Sequence, residues 1–313
     1  MLLETLIIIK LNAIRKNRKA QMTKYAMIHP ATFKLDGGAM FGIIPRPLWS
    51  KVMPPDEQNR ILMSLRVMLI QTHNKNILID SGIGDYHGEK FDERFAVVGG
   101  KNPLVEQLQS IKLAPALISD IILTHLHFDH VGGLGQLGSQ GFEPVFPNAI
   151  IHLHKKHYEY AQNPTERDSG SFEHHYFMPL IQWYQQRNQI HWLDSEHGEV
   201  LSDEGESVKF ISSHGHTPHQ IHPYTQEYMY MADILPTSNH VKIPWVMGYD
   251  IAAGKSTEDK KRIYQFLIEH KLKCVFEHDP LYWGGEIECD TQGQYKWKEL
   301  FKVQTDLGVD SIN

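Results

Sequence analysis

With 313 residues, 41% hydrophobic and 22% charged, the chain can bury a full core and has the balance of a soluble globular protein. A net charge of −6, with no basic stripe interleaved with aromatics, argues against nucleic-acid binding. Two cysteines, Cys274 and Cys289, form no Cys-x-x-Cys pair, which excludes a disulfide framework and fits a reducing, cytoplasmic setting.

The chain opens on an apolar stretch, residues 1–11, followed by Arg15, Lys16, Arg18 and Lys19. That charge order is the reverse of a signal peptide, Glu4 interrupts it, and no apolar run is long enough for an integral membrane span. Residues 1–21 read as an extension from an upstream start codon, with packing on the domain or across a homodimer as the alternative. No low-complexity linker follows, so residues 22–313 are expected to form a single domain.

Residues 29–35 and 61–72 alternate as strands do, the second apolar enough on both faces for two-sided burial, and 76–80 is a short strand. Asn102-Pro103 reads as an N-cap followed by proline at the first helical position, with Leu104, Leu108 and Ile111 as the packing stripe. The apolar run 117–123 reads as a buried strand, and 149–153 as another. Residues 155–162 and 172–187 look helical, the second with a core-type aromatic stripe of Phe172, Tyr176, Phe177, Trp183 and Tyr184. Strands are expected at 207–212 and 227–232. Residues 256–259, Ser-Thr-Glu-Asp, open a helix in capping-box style, with Ile263, Phe266, Leu267 and His270 on its packing face. Residues 273–277 are the last strong strand, with Cys274 as a small buried apolar residue.

The run 124–133, Thr-His-Leu-His-Phe-Asp-His-Val-Gly-Gly, carries the chemistry. His125, His127, Asp129 and His130 put four ligand types for zinc or iron within six residues, directly after a strand. Gly132 and Gly133 are expected to turn the backbone sharply just beyond them. Scattered surface histidines would not arrive at this density between an apolar strand and a Gly-Gly pair.

His-x-His-x-Asp-His after a strand resembles the signature of the metallo-β-lactamase superfamily. The resemblance implies further ligands, which fall in family order. His216 lies in 213–218 (Ser-His-Gly-His-Thr-Pro), Asp233 ends 229–233 (Met-Tyr-Met-Ala-Asp), and His278 follows the strand 274–277. It implies an α/β fold, the αββα four-layer sandwich, and a single hydrolase domain. It also implies two divalent metal ions, zinc by default with manganese or iron as alternatives. His125, His127, His216 and Asp233 would hold one; Asp129, His130, His278 and a shared Asp233 the other. The expected reaction is hydrolysis by a metal-bridging hydroxide, with Asp129 as both ligand and proton acceptor. Asp80 is expected to fix the ligand loop through hydrogen bonds, or simply to cap a turn.

Segments 35–49 and 233–250 are similar to a branch holding YtnP-like quorum-quenching lactonases and organophosphate hydrolases. They would overhang the metals, with Met40, Phe41, His240, Trp245 and Met247 around a small-molecule substrate. N-acyl-homoserine-lactone-like lactones are the leading substrate, with arylesterase or phosphotriesterase promiscuity. Two features depart from that pattern. The lactonases' tyrosine three residues after the bridging Asp is Pro236 here, and the usual glycine after His-Thr-Pro is His219. The alternatives are a glyoxalase-II-like thioesterase and a non-enzymatic metal-binding protein on the same fold, the latter disfavoured by seven intact ligands. Of the other histidines, His214, His219 and His222 crowd the His216 loop, with at most one expected at a metal. His152, His154 and His157 read as a surface cluster, and His174-His175 as a solvated pair.

Overall fold

The computed structural model describes residues 23–139, 141–305 and 307–312, so the reading of residues 1–21 lies outside the described residues. The strands are β1 (Lys24–Asp36), β2 (Arg60–Gln71), β3 (Asn76–Ile79), β4 (Asp120–Ile122), β5 (Gly135–Gly138), β6 (Gly141–Pro144), β7 (Ile150–His154) and β8 (Ile190–Leu193). There follow β9 (His197–Asp203), β10 (Glu206–Ser213), β11 (Gln220–Tyr224), β12 (Tyr228–Tyr230), β13 (Lys273–Val275), β14 (Tyr282–Cys289), β15 (Tyr295–Lys302) and β16 (Gly308–Ile312). The α-helices are α1 (Gly37–Phe41), α2 (Arg46–Trp49), α3 (Glu89–Phe95), α4 (Pro103–Ser110), α5 (Phe128–Val131), α6 (Lys155–Gln162), α7 (His174–Gln185) and α8 (Ala253–His270).

One seven-stranded sheet runs β16-β1-β2-β3-β4-β7-β8, the other β15-β14-β13-β12-β11-β10-β9, and β5-β6 is a separate ribbon. The period-2 alternation of side chains decides which residue faces which layer. On the first sheet Met27, Met68, Ile70, Ile79 and Ile122 point inward, meeting Val208, Phe210, Tyr230 and Val275 of the second in one apolar layer. Their sequence neighbours Ile28, Val67, Leu69 and Ile121 point outward under Leu104 and Leu108 of α4 and Tyr176, Leu180 and Tyr184 of α7. Met229 and Cys274, on the outer face of the second sheet, lie under Ile263, Tyr264 and Leu267 of α8. Helix, sheet, sheet, helix is the expected four-layer sandwich, and the two-sided burial of β2 follows from its central place.

Local details depart from the sequence expectations. Asn102 adopts a left-handed conformation (φ 47°) and its side chain caps nothing, although α4 begins at Pro103 as expected. Ile111 lies past the helix end and is 37% exposed, so the stripe is Leu104 and Leu108. Residues 256–259 sit inside α8, which starts at Ala253 with no side-chain cap. Residues 273–277 are not the last strong strand, because β14, β15 and β16 follow. β16 returns to pair antiparallel with β1. His152, His154 and His157 are buried, not a surface cluster. The first two share the inward face of their strand, where His152 Nε2 lies 2.9 Å from Asp120 Oδ1.

Candidate metal centre

The loop after β4 owes its shape to close packing. Gly132 has an ordinary helical backbone (φ −63°, ψ −30°), so it is not needed for a special turn. A Cβ there would lie 2.0 Å from the Ile83 carbonyl oxygen, and one on Gly133 2.1 Å from that of Ser81. The glycines let the ligand loop press onto the 81–83 backbone, where the Ser81 amide donates to the His130 carbonyl at 2.8 Å. Asp80, held at φ 60°, links the end of β3 to this segment. Its carboxylate accepts from the Thr124 amide and hydroxyl, both at 2.7 Å, and lies 3.0 Å from His130 Nδ1.

All seven ligand candidates converge, drawn from loops of both sheets. His125 Nε2 lies 3.0 Å from His127 Nδ1, and His216 Nε2 lies 3.1 Å from that same Nδ1. Asp233 Oδ2 stands 3.1 Å from His216 Nε2 and 3.9 Å from His125 Nε2. These four side chains form one group whose donor atoms all fall within 4.8 Å of one another. Asp233 turns its other oxygen to His278 Nε2 at 3.0 Å, and Oδ2 is 3.6 Å from His130 Nε2. Asp129 stands 3.8 Å from His130 Nε2 and 3.7 Å from His278 Nε2. Ala232, next to Asp233, holds φ 41°, strain of the kind that concentrates at functional sites.

A second group of close donors comprises His130, Asp233, Glu277 and His278, with Glu277 where Asp129 was expected. Glu277, however, lies 2.9 Å from His130 Nδ1, behind the ring. One imidazole cannot offer both nitrogens to the same ion, so Asp129 is the carboxylate on the Nε2 side. Glu277 and Asp80 are the acids that hold the ring from behind. Burial pushes the Glu277 carboxyl up to about 7.

The residues fit divalent cations. His130 Nε2 is buried without a hydrogen-bond partner and faces the cluster. Three rings are tied by their outward nitrogens: His125 Nδ1 to Thr124 Oγ1 at 3.0 Å, His216 Nδ1 to Asp250 Oδ1 at 3.0 Å, His278 Nδ1 to the Ser64 carbonyl at 2.9 Å. Each tie fixes a ring with Nε2 turned inward, the usual arrangement around a bound metal. Burial drives His125 and His127 well below the ordinary imidazole range, leaving lone pairs free. At Asp233 burial opposes ionisation, but His216, His278 and His130 outweigh it and hold the carboxyl far below its usual range.

Three supporting residues have no local sequence signal: Asp250 and Ser64 are distant in the chain from the rings they hold, and Glu277 hides in an apolar strand end. His157 is a buried bridge rather than a surface residue. Its Nε2 accepts from the Leu126 amide at 2.9 Å and its Nδ1 donates to the Pro218 carbonyl at 2.8 Å. It therefore ties the His125–His127 loop to the His216 loop.

The centre forms the floor of a cavity of about 280 Å³, with Asp129, His216, Asp233 and His278 below and Leu35, Met40, Phe95, Phe128, Met247 and Tyr249 around it. Met40 and Met247 are thus where the wall was expected. Phe41, His240 and Trp245 are not in that lining. Phe41 is stacked between Trp49 and His240, centroids 5.6 and 4.6 Å away, with Trp245 edge-on at 5.6 Å. His240 has both nitrogens engaged, Nδ1 with Thr237 Oγ1 at 2.7 Å and Nε2 with the Met40 carbonyl at 2.9 Å. These three support the wall from behind. Lys260 of α8 anchors them, donating to the carbonyls of His240, Lys242 and Trp245.

Known proteins resemble this chain in sequence and in fold. N-acyl homoserine lactonase AttM from Agrobacterium fabrum is 22% identical over 185 residues, 58% of this chain and 65% of that protein. The chain therefore matches less than two thirds of that relative's length. The structure of a probable metal-dependent hydrolase from Staphylococcus aureus superposes with a TM-score of 0.77 at 26% identity, covering 90% of this chain and 98% of that one. AidC, a dizinc quorum-quenching lactonase, superposes at 0.69 and 21% identity over 89% and 95% of the two chains. The Metallo-beta-lactamase superfamily pattern matches residues 66–265, and the chain belongs to that superfamily.

Proposed function

We propose that this protein is a dinuclear metal-dependent hydrolase whose leading substrates are lactones carrying an apolar chain. The observation that carries this reading is the juxtaposition of seven ligand side chains with an apolar cavity directly above them. His125, His127, His216 and Asp233 would hold one ion, zinc by preference, and Asp129, His130, His278 and Asp233 the second. Bound there, such ions supply Lewis acidity to a carbonyl or phosphoryl oxygen and make water acidic enough to be a nucleophile at neutral pH.

The chain's own residues do the rest. Asp129 lines the cavity floor and is placed to take a proton from the attacking water on its carboxylate. Leu35, Met40, Phe128 and Met247 exclude solvent and seat the apolar appendage. Pro236 leaves no phenol at the position the lactonases use, and its carbonyl accepts from the His278 amide at 3.0 Å. Tyr249 brings a phenol into the cavity from another segment. Burial pushes it up to about 12, so it stays protonated and can donate to a carbonyl oxygen. An aryl ester or phosphotriester fits the same floor and wall, which supports promiscuity toward both.

The test begins with elemental analysis, which should approach two transition ions per chain in metal-supplemented protein. Medium-chain acyl lactones, aryl esters, a phosphotriester and a glutathione thioester are then compared by kcat/KM. Lactones are expected first; a clear preference for the thioester would assign the chain to glyoxalase-like chemistry instead. With both ions retained, Asp129→Asn should lose about 10²–10⁴-fold in kcat/KM, whereas Cys274→Ala, behind the second sheet, should leave it near wild type.

A further inference from the structure

Away from the buried centre, Glu196, His214 and His219 bring their donor atoms within 4.8 Å of one another. Glu196 lies in the short link between β8 and β9, and the histidines flank His216 in the loop between β10 and β11. His219 holds a left-handed backbone, φ 58°. Its ring stacks on His154 (4.7 Å, 9°) and lies edge-on to His214 (4.6 Å). Those contacts leave Nδ1 shielded from solvent with no hydrogen-bond partner. That nitrogen is 3.7 Å from Glu196 Oε1, too far for a hydrogen bond. The spacing is close to the ~3.4 Å that separates two ligands bonded to one tetrahedral zinc at roughly 2.1 Å. The other Glu196 oxygen lies 2.7 Å from His214 Nε2. Glu196 and His214 are partly open to solvent, leaving room for water to complete a coordination shell.

We propose that Glu196, His214 and His219 form a third, accessible binding site for a divalent transition ion such as Zn²⁺, separate from the buried pair. Capture replaces the proton between His214 Nε2 and Glu196. That single ring proton is not lost but shifts to Nδ1, freeing the Nε2 lone pair for the ion at the cost of the 3.2 Å hydrogen bond from the His219 amide. Two imidazoles, one carboxylate and that lost bond make the site weaker than the buried ones, in the micromolar range. Its occupant would brace the loop carrying His216 against the link between β8 and β9.

The test is calorimetric titration of Zn²⁺ into full-length protein already saturated at its tight sites and cleared of free metal. One further micromolar equivalent is expected. Glu196→Ala and His219→Gly should each abolish it while the tightly bound metal content stays unchanged. His219→Gly removes the backbone strain, so it should melt no lower than wild type, which separates loss of the site from loss of the fold. A further equivalent that persists in both variants, or none in wild type up to millimolar free Zn²⁺, would overturn the proposal. The outcome stands apart from the catalytic reading, because the titration reads this site whatever the substrate proves to be.

Discussion

His157 shows how a single side chain can organise a centre it does not enter. Both its hydrogen bonds go to backbone groups with fixed roles, an amide that can only donate and a carbonyl that can only accept. The ring is therefore held as the neutral Nδ1–H tautomer, and burial pushes it down to about 3, in keeping with that. His157→Ala would leave two buried backbone groups unpaired, at about 1–3 kcal/mol each. We expect a lower melting temperature and faster metal loss to a chromophoric chelator, with wild-type chelator kinetics counting against this role. Residue identity alone does not expose it: spacing by two and three suggests a surface cluster, whereas the ring is enclosed between the Leu126 and Pro218 loops. Direction misled in the same way at Phe41, Trp245 and His240. Their chemistry is apolar or aromatic as read, but only the packing of Trp49 and Thr237 shows that they face away from the cavity.

At the scale of elements, the region 120–134 was legible because its information is local: strand, ligands and glycines are consecutive. The reason for the glycines was not, since it lies in the carbonyls of Ile83 and Ser81. Gly132→Ala tests the packing explanation. A methyl 2.0 Å from a carbonyl oxygen has to displace backbone, so we expect a loss of about 3 kcal/mol or more together with reduced metal content. A neutral result would favour a merely flexible turn. Helix boundaries were less legible: α8 begins without a side-chain cap, so the apparent capping box inside it misdirected its start. β15, the edge strand of the second sheet, alternates polar and apolar residues over much of its length, and its half-exposed faces give a weaker pattern than the buried β2.

For the whole molecule, the dominant fact is that the centre belongs to neither sheet. His125, His127, Asp129 and His130 follow a strand of the first, whereas His216, Asp233 and His278 follow strands of the second. Ions bound there would hold the layers together, and ligand binding at a thousand times Kd stabilises a fold by about 4.1 kcal/mol per site. Stripping the metal should therefore lower the melting temperature by roughly 10 °C, with reversal on adding metal back; an unchanged transition in metal-free protein would show that the sheets need no such link. The order of the chain adds a further consequence. It leaves the first sheet after Leu193, builds the second, and returns only as β16. Divided at Asp194, the polypeptide would yield two pieces, each holding an incomplete set of metal ligands. Neither could take up the full complement alone, so metal capture would report their reunion.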